Sequence, residues 1–440
     1  MISHRHRPPI SPILACARTA WGRTPLRYLL PGRAGRYHIF LTAHGNAPGS
    51  PQSERVIRVL AMMEAQWVTG PAKNLIAFAT WTRNFPPFGL PRIELSVVAF
   101  QRPSAPANRF LAALEAAKIP VHIIRESSAG DPRVIPQLLA IVDSTKPDIV
   151  QTHNSKSHFL VRVTGLSRRI RWIAFHHGFT ARNRKDRFYN HIARWALRGA
   201  PHVITVCRAF ALDLSHAGVP AHRISVRHNM VEAFIAPPPG ELLGLRGRLG
   251  IPQDARVLLA VGRLSAEKGH ADLIEAMALL RASHPAKVCL VVVGDGPERG
   301  ALEQRCAALG LSDSVLFAGQ QANVAPYYGI ADLFVLPSHS EGSPNVLLEA
   351  MAAGLPIVST GAGGAAELVS NENTALVVDC CDPRAISLAI GRLLADAELA
   401  GRLGTAARLA SRLYAPEAYA ASLVQLYQAV AGNPLAGCGH

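Results

Sequence analysis

From residue 56 onward, short apolar runs alternate with longer stretches in which apolar positions recur every three or four residues. The short runs read as buried strands and the longer stretches as amphipathic helices. Strands are expected over 56–63, 93–100, 121–125, 148–152, 172–176, 202–206 and 224–227. Helices are expected between them, over 72–80, 108–118, 134–144, 157–166, 182–198 and 210–218, with a turn at Thr69-Gly70-Pro71 before the first. The alternation breaks at residues 235–240, a Pro-rich run that reads as a linker, and then restarts. In the second half, strands are expected over 257–261, 288–293, 315–317, 333–336, 357–360 and 375–378. Helices are expected over 271–282, 299–309, 324–330 and 345–353, and three more over 383–395, 397–411 and 417–431.

Strands alternating with helices imply parallel pairing. The expected class is therefore α/β, as two doubly wound domains, 55–234 and 241–415, facing each other across a cleft. Residues 416–440 would supply a last helix packing back on the first domain, and a tail. In open α/β sheets, ligands sit off the carboxyl ends of the strands. A cleft between two such units is thus the place to look for chemistry.

Residues 337–364 hold the densest candidate chemistry. The apolar run Leu333-Phe334-Val335-Leu336 is followed by a small polar loop, then by Pro344 and a helix that Gly354 ends. Pro at the first turn and Gly just past the last are the expected punctuation. Glu341 stands in the loop and Glu349 about one and a half turns into the helix. A ligand lying across this helix start could touch both carboxylates and the free N–H groups within residues 342–346, of which Pro344 has none. Carboxylates accept hydrogen bonds from hydroxyls, so a polyol suits them. The plainer alternative is one charge beside a helix dipole and one on a solvated face.

Two loops earlier in the same half add to this. Arg263 and Lys268 flank a loop between a strand and a helix, as a phosphate clamp would or as two surface cations would. Gly294-Asp295-Gly296 directly follows a strand, where glycine lets backbone approach a ligand or simply turns the chain. The GxGxxG spacing of a dinucleotide fingerprint is absent.

Composition narrows the setting. No apolar run approaches the roughly 20 residues that a spanning helix needs. Seven scattered Cys, with no CxxC pair, argue for a reducing compartment and against a metal cage or disulfide framework. The cytoplasm is expected. Residues 1–235 carry 32 Lys and Arg against 11 Asp and Glu, whereas residues 236–440 carry 14 against 19. The basic half therefore faces something anionic. Residues 1–54 hold seven Arg and no acid before Glu54. They read as a basic, poorly ordered extension or as the product of a start placed too far upstream. Arg168 to Arg198 form a basic stretch interleaved with Trp172, Phe188 and Trp195. An anionic membrane surface fits this stretch, a solvated helix face is the alternative, and no recognition module supports nucleic acid.

The runs VGRLSAEKG, VVGDGPE and SEGSPNVLLEAMAAGLPIVSTGAGGAAELV, in this order and spacing, resemble the retaining nucleotide-sugar glycosyltransferases of family 4, with GT-B fold. The family's mark, two Glu separated by seven residues, is matched by Glu341 and Glu349. The resemblance extends, with weaker motifs, over about residues 56–431. It implies two Rossmann-like domains and transfer of a sugar from a UDP-, GDP- or ADP-sugar to a glycan or lipid-linked acceptor, in cell-envelope or polysaccharide synthesis. It also implies specific roles. Glu349 would bind ribose and Glu341 the donor sugar. Arg263 and Lys268 would neutralise the diphosphate, which makes a metal or other cofactor unnecessary. The backbone of Gly342, Ser343, Pro344, Asn345 and Val346, together with Gly294, would meet sugar and phosphate oxygens. Gly319 and Gln320 would line the base pocket. Across the cleft, Gly70, His153 and His177 become candidates, with His177 preferred to His176 near the reacting sugar. The family's first turn often carries Gly-Gly, and Pro71 departs from that. Within the same architecture, a nucleotide-sugar epimerase, a phosphorylase or a non-catalytic sugar-nucleotide-binding protein are the alternatives.

Overall fold

The structure, a computed structural model, describes residues 55–103, 108–128, 130–179, 184–285 and 287–432. The basic extension expected over 1–54 and the tail after 432 lie outside the described residues. The first half runs β1 (Val56–Met62), α1 (Gly70–Asn84), β2 (Arg92–Gln101), α2 (Arg109–Ala116), β3 (Val121–Arg125), α3 (Val134–Thr145), β4 (Ile149–Thr152), α4 (Ser155–Val163), α5 (Leu166–Arg169), β5 (Arg171–His176), α6 (Arg184–Leu197), β6 (His202–Thr205), α7 (Arg208–His216) and β7 (Ile224–Val226). The second runs α8 (Pro239–Arg248), β8 (Arg256–Val261), α9 (His270–Ser283), β9 (Val288–Val293), α10 (Arg299–Ala308), β10 (Val315–Gly319), α11 (Ala325–Ile330), β11 (Leu333–Leu336), α12 (Asn345–Ala353), β12 (Ile357–Thr360), α13 (Ala365–Leu368), β13 (Leu376–Val378), α14 (Pro383–Ala395), α15 (Ala397–Ser411) and α16 (Pro416–Gly432).

The strands form two sheets, ordered β3-β2-β1-β4-β5-β6-β7 and β10-β9-β8-β11-β12-β13, and every pairing is parallel. The physical reason is visible strand by strand. In β8, Val257 and Leu259 enter one core while Leu258 and Ala260 enter another on the opposite face. In β1, Ile57, Val59 and Ala61 face one side and Leu60 and Met62 the other. A strand buried on both faces must be apolar throughout, and its crossovers must be helices. The α/β, doubly wound class expected from the alternation is what the chain adopts.

The last helix crosses back. Ala420, Leu423, Val424 and Tyr427 of α16 are buried in the same core as Phe78 of α1 and Ile57 of β1. Phe78 meets Tyr427 and Tyr419 edge-on, at 5.9 and 6.2 Å between centroids. Burying each such side chain contributes roughly 1.5–3 kcal/mol, so the two ends of the described chain stabilise each other.

Three local expectations differ from the structure. Thr69-Gly70-Pro71 is not a separate turn: Thr69 precedes α1, and Gly70 and Pro71 are its first residues. The N–H that Pro71 lacks is one the first helical turn leaves unbonded anyway. The run 235–240 is a linker only in part, because α8 starts at Pro239, again with Pro in the first turn. Finally, Trp172 does not belong to an exposed basic-aromatic face. It is fully buried in β5, and its Nε1 donates to Thr152 Oγ1 at 2.8 Å.

Candidate active site

The loop after β8 and the loop after β11 meet at an ion pair. Lys268, in a short turn before α9, donates from Nζ to Glu341 Oε1 at 2.7 Å. Ser338 Oγ donates to the same oxygen at 2.6 Å. The Glu341 side chain is only 6% exposed and that of Lys268 26%. Among the described residues, the carboxylate is therefore held by two donors in a nearly dry setting, with its other oxygen unclaimed. Arg263 is exposed, and no ion pair or hydrogen bond commits it among the described residues.

Glu349 lies one helix turn and a half further on, in α12. Tyr328 of α11 donates to its Oε2 at 3.0 Å, and Lys73 of α1 pairs with its Oε1. Burial and the neighbouring Glu349 carboxylate push the Tyr328 phenol well above its usual range, so it remains a donor. No side chain among the described residues caps α12. Leu347 N–H donates to Pro344 O at 3.1 Å, whereas the N–H groups of Asn345 and Val346 have no partner among the described residues and are open to a ligand in front of them.

The first half closes onto this helix start. Asn229, after β7, donates from its backbone N–H to Ser343 Oγ at 2.9 Å and from Nδ2 to Ser343 O at 2.9 Å and Asn345 Oδ1 at 2.8 Å. Gly70 opens α1 beside Asn345: a Cβ on it would stand 3.5 Å from Asn345 Nδ2. The Phe210 ring of α7 fills the space between Gly178 and Gly342. A Cβ would fall 2.6 Å from Phe210 Cε2 on Gly178 and 2.8 Å from it on Gly342. One ring thus separates the residue after His177 from the residue after Glu341.

His153 and His177 directly follow β4 and β5. Their rings stack 5.5 Å apart and nearly parallel, and His153 Nδ1 lies 3.2 Å from His177 Nε2. Burial holds His153 well below its usual range and His177 down to about 4; His176 is lowered to about 3, again chiefly by burial. All three are neutral near pH 7. His176 is packed against Phe179 and Phe210, with its Nε2 sealed and without a partner among the described residues.

The structure thus places Lys268, Glu341, Glu349, Gly342, Ser343, Pro344, Asn345, Val346 and Gly70 around one helix start. Gly294 plays a different part. With φ +142°, its Cβ would sit 1.8 Å from Gly262 O, so it lets the loop after β9 lie against the loop after β8. Gly319 ends β10, two strands from β8, with its carbonyl accepting from Gly294 N at 2.9 Å, and Gln320 beside it is exposed. Lys73, Asn229, Phe210, Tyr328 and Ser338 are additions that sequence patterns did not single out. Nothing local in the chain ties Asn229 to a loop 114 residues away. Among the described residues, one trio of possible metal ligands, Asp272, His339 and Cys381, lies together, with His339 Nε2 bonded to Asp272 Oδ2 at 2.7 Å.

Comparisons with known proteins bear on both halves. Residues 245–410 match the family described as Glycosyl transferases group 1, and residues 91–233 match Glycosyltransferase Family 4. The chain is similar to the lipopolysaccharide core biosynthesis glycosyltransferase LpsD of Rhizobium meliloti, at 38% identity over 180 residues, covering 41% of this chain and 50% of that one. It is also similar to a D-inositol 3-phosphate glycosyltransferase of Xylanimonas cellulosilytica, at 34% identity over 206 residues, covering 45% and 48%. The chain spans about half the length of these curated relatives. Among solved structures, Anabaena Alr3699/HepE in complex with UDP-glucose superposes with a TM-score of 0.73 at 22% identity, covering 85% of this chain and all of that one. WaaG, a glycosyltransferase involved in lipopolysaccharide biosynthesis, superposes with a TM-score of 0.62 at 17% identity, covering 84% and 99%. At such identities the structural likeness establishes the fold, and the sequence matches establish the kinship: this chain has the GT-B fold and belongs to glycosyltransferase family 4, with a group 1 domain as its second half.

Proposed function

We propose that this protein is a retaining glycosyltransferase that moves a sugar from a nucleoside diphosphate sugar to a glycan or lipid-linked acceptor in envelope or polysaccharide synthesis. The observation that carries the reading is the Lys268–Glu341 pair at the uncapped start of α12, with Glu349 on the same helix. In this reading the free carboxylate oxygen of Glu341 accepts from donor-sugar hydroxyls, and Glu349 accepts from ribose in place of Lys73. When the bond from the anomeric carbon to the diphosphate oxygen breaks, negative charge gathers on the leaving phosphate. In this reading Arg263, Lys268 and the uncapped N–H groups at the start of α12 stabilise that charge, as preorganised donors do in a site shielded from water. These cations take the part a metal would play, so the reaction is assigned no metal.

Thermal unfolding in the presence of UDP, GDP or ADP tests the donor site. Saturation to a hundred times Kd stabilises by about 2.7 kcal/mol, so at least one of the three should raise the melting temperature by several degrees. UDP is the first to try, because Alr3699/HepE was solved with it. No response to any of them would sink the proposal.

The acceptor side is assigned an anionic membrane on the cytoplasmic face. In support, Phe159 and Val163 of α4 and Phe188 and Trp195 of α6 are exposed on two helices that pack together, with Arg162 stacked over Trp195 at 5.5 Å and Arg187 beside them. Arg182 of the basic stretch lies outside the described residues. No helix among the described residues is long and apolar enough to cross a membrane. Each cation near an anionic surface contributes about 1 kcal/mol. The protein should therefore float with vesicles containing phosphatidylglycerol at low salt and stay behind with neutral ones; equal flotation with both would remove the charge argument.

A further inference from the structure

Three buried groups and the half-buried His177 form a continuous line of hydrogen bonds from α16 to the end of β5. Tyr427 hydroxyl donates to Gln151 Oε1. Gln151 Nε2 lies 2.6 Å from His153 Nε2, and His153 Nδ1 lies 3.2 Å from His177 Nε2. Tyr427 is fully buried, Gln151 is 1% exposed and His153 8%. The line joins the helix that ends the described chain to His177, whose chain neighbour Gly178 lies against the Phe210 ring that also lies against Gly342 of the Glu341 loop.

The line has a direction. A phenol that donates into Gln151 Oε1 fixes which way the amide points, so its NH2 faces His153. An amide NH2 only donates, so His153 Nε2 must accept. A neutral imidazole has one N–H, and here it is left on Nδ1, aimed at His177 Nε2. His177 Nε2 must then accept too, and its proton sits on Nδ1. That Nδ1 has no hydrogen-bond partner among the described residues and is not one of the sealed polar atoms.

We infer that Tyr427 and Gln151 are positioning residues for the reaction centre: acting through His153, they hold His177 as the Nδ1–H tautomer, with Nε2 occupied and Nδ1–H free to donate to a substrate oxygen. The inference rests on the reading of His177 as a cleft residue of a glycosyltransferase. Its chemical content is that His177 is a hydrogen-bond donor to donor-sugar or phosphate oxygen, and not a base. Its structural content is that α16, by crossing to the first domain, sets that donor's tautomer.

The test uses the full chain with 15N-labelled histidine and long-range proton–nitrogen spectra, which distinguish a protonated ring nitrogen from a bare one. His177 is assigned by the signals lost in His177→Gln. In the unaltered protein, Nδ1 of His177 should carry the proton and Nε2 should be bare. Gln151→Glu should reverse the line. A carboxylate only accepts, so His153 must donate from Nε2, its Nδ1 becomes the acceptor, and His177 must donate from Nε2. If Gln151→Glu does not fold, Tyr427→Phe removes only the hydroxyl that sets the amide, and His177 should then show a mixture of tautomers. In Gln151→Glu, kcat should fall about tenfold, the worth of one hydrogen bond of about 1.4 kcal/mol, and in Tyr427→Phe, where a fraction keeps the Nδ1–H tautomer, by less, with nucleotide affinity unchanged in both. A proton on Nε2 in the unaltered protein, or a His177 tautomer indifferent to both substitutions, overturns the inference. The spectra need no turnover, so the two readings can fail separately: absence of nucleotide binding strikes the proposed function, and an unmoved tautomer strikes the relay.

Discussion

Lys268→Ala is expected to lower sugar transfer by about 100- to 1,000-fold, the usual cost of removing one preorganised charge-stabilising donor from a transition state. The structure adds a second effect. Among the described residues, Lys268 is one of two donors on the buried Glu341 oxygen, the other being Ser338. Removing the ammonium leaves that carboxylate with a neutral hydroxyl, and a hydrogen bond to a charged group is worth about 1.5–3 kcal/mol. The variant should therefore also unfold at lower denaturant, with an unchanged slope. Lys268→Arg separates the effects: it keeps the charge beside Glu341 and should recover most of the stability. It should recover less of the rate, because a planar fork cannot occupy the position of a compact ammonium. Initial rates of donor turnover and urea titrations on the three proteins decide this. Unchanged turnover in Lys268→Ala would remove the residue from the diphosphate role.

Gly294→Ala should destabilise the second domain by roughly 3 kcal/mol or more, whether or not a ligand is present. The methyl would be driven to 1.8 Å from Gly262 O, a backbone atom that cannot turn aside, and φ of +142° is one that residues with a Cβ avoid. Overpacking costs about 1–3 kcal/mol, and a backbone held in such a region a similar amount again. Gly300→Ala is the matched control. It lies in α10 with nothing within 4 Å of an added Cβ, and alanine there should stabilise by about 1 kcal/mol. Denaturant midpoints for the pair distinguish a glycine needed for loop packing from one needed for ligand contact. If Gly294→Ala kept its stability and lost only nucleotide binding, the contact role first inferred from its place after a strand would be the right one.

The elements around the site were legible because their signals are local. An apolar run of four or six residues, a Gly or Pro within a few positions and a helical period afterwards are enough to place β8, β11 and α12 and the loops between them. The same locality explains the errors. A Pro-rich run looks like a linker from within, yet Pro at a helix's first turn is favourable, so α8 begins inside it. Trp172 sits among arginines in the chain, but strand side chains point to alternate faces, and the tryptophan takes the buried one.

The partners in the site were not legible at all. Lys73 and Glu349 are 276 residues apart, as are Gln151 and Tyr427; Asn229 and Ser343 are 114 apart. No periodicity spans such distances. These pairs exist because two sheets of fixed strand order present the ends of their strands to one another, and because α16 returns to the first domain to bury Tyr427.

The sequence by itself determined the class, the order of elements and the second-half residues that cluster at α12, since propensity, punctuation and binary pattern act over a few positions. Only the tertiary structure decided what each of those residues touches. It made Lys268 a partner of Glu341, made Gly294 a packing device, brought Lys73 and Asn229 across from the other domain, and gave His177 its tautomer. Those outcomes depend on which surfaces meet when two cores are packed, and that is set by the whole chain at once.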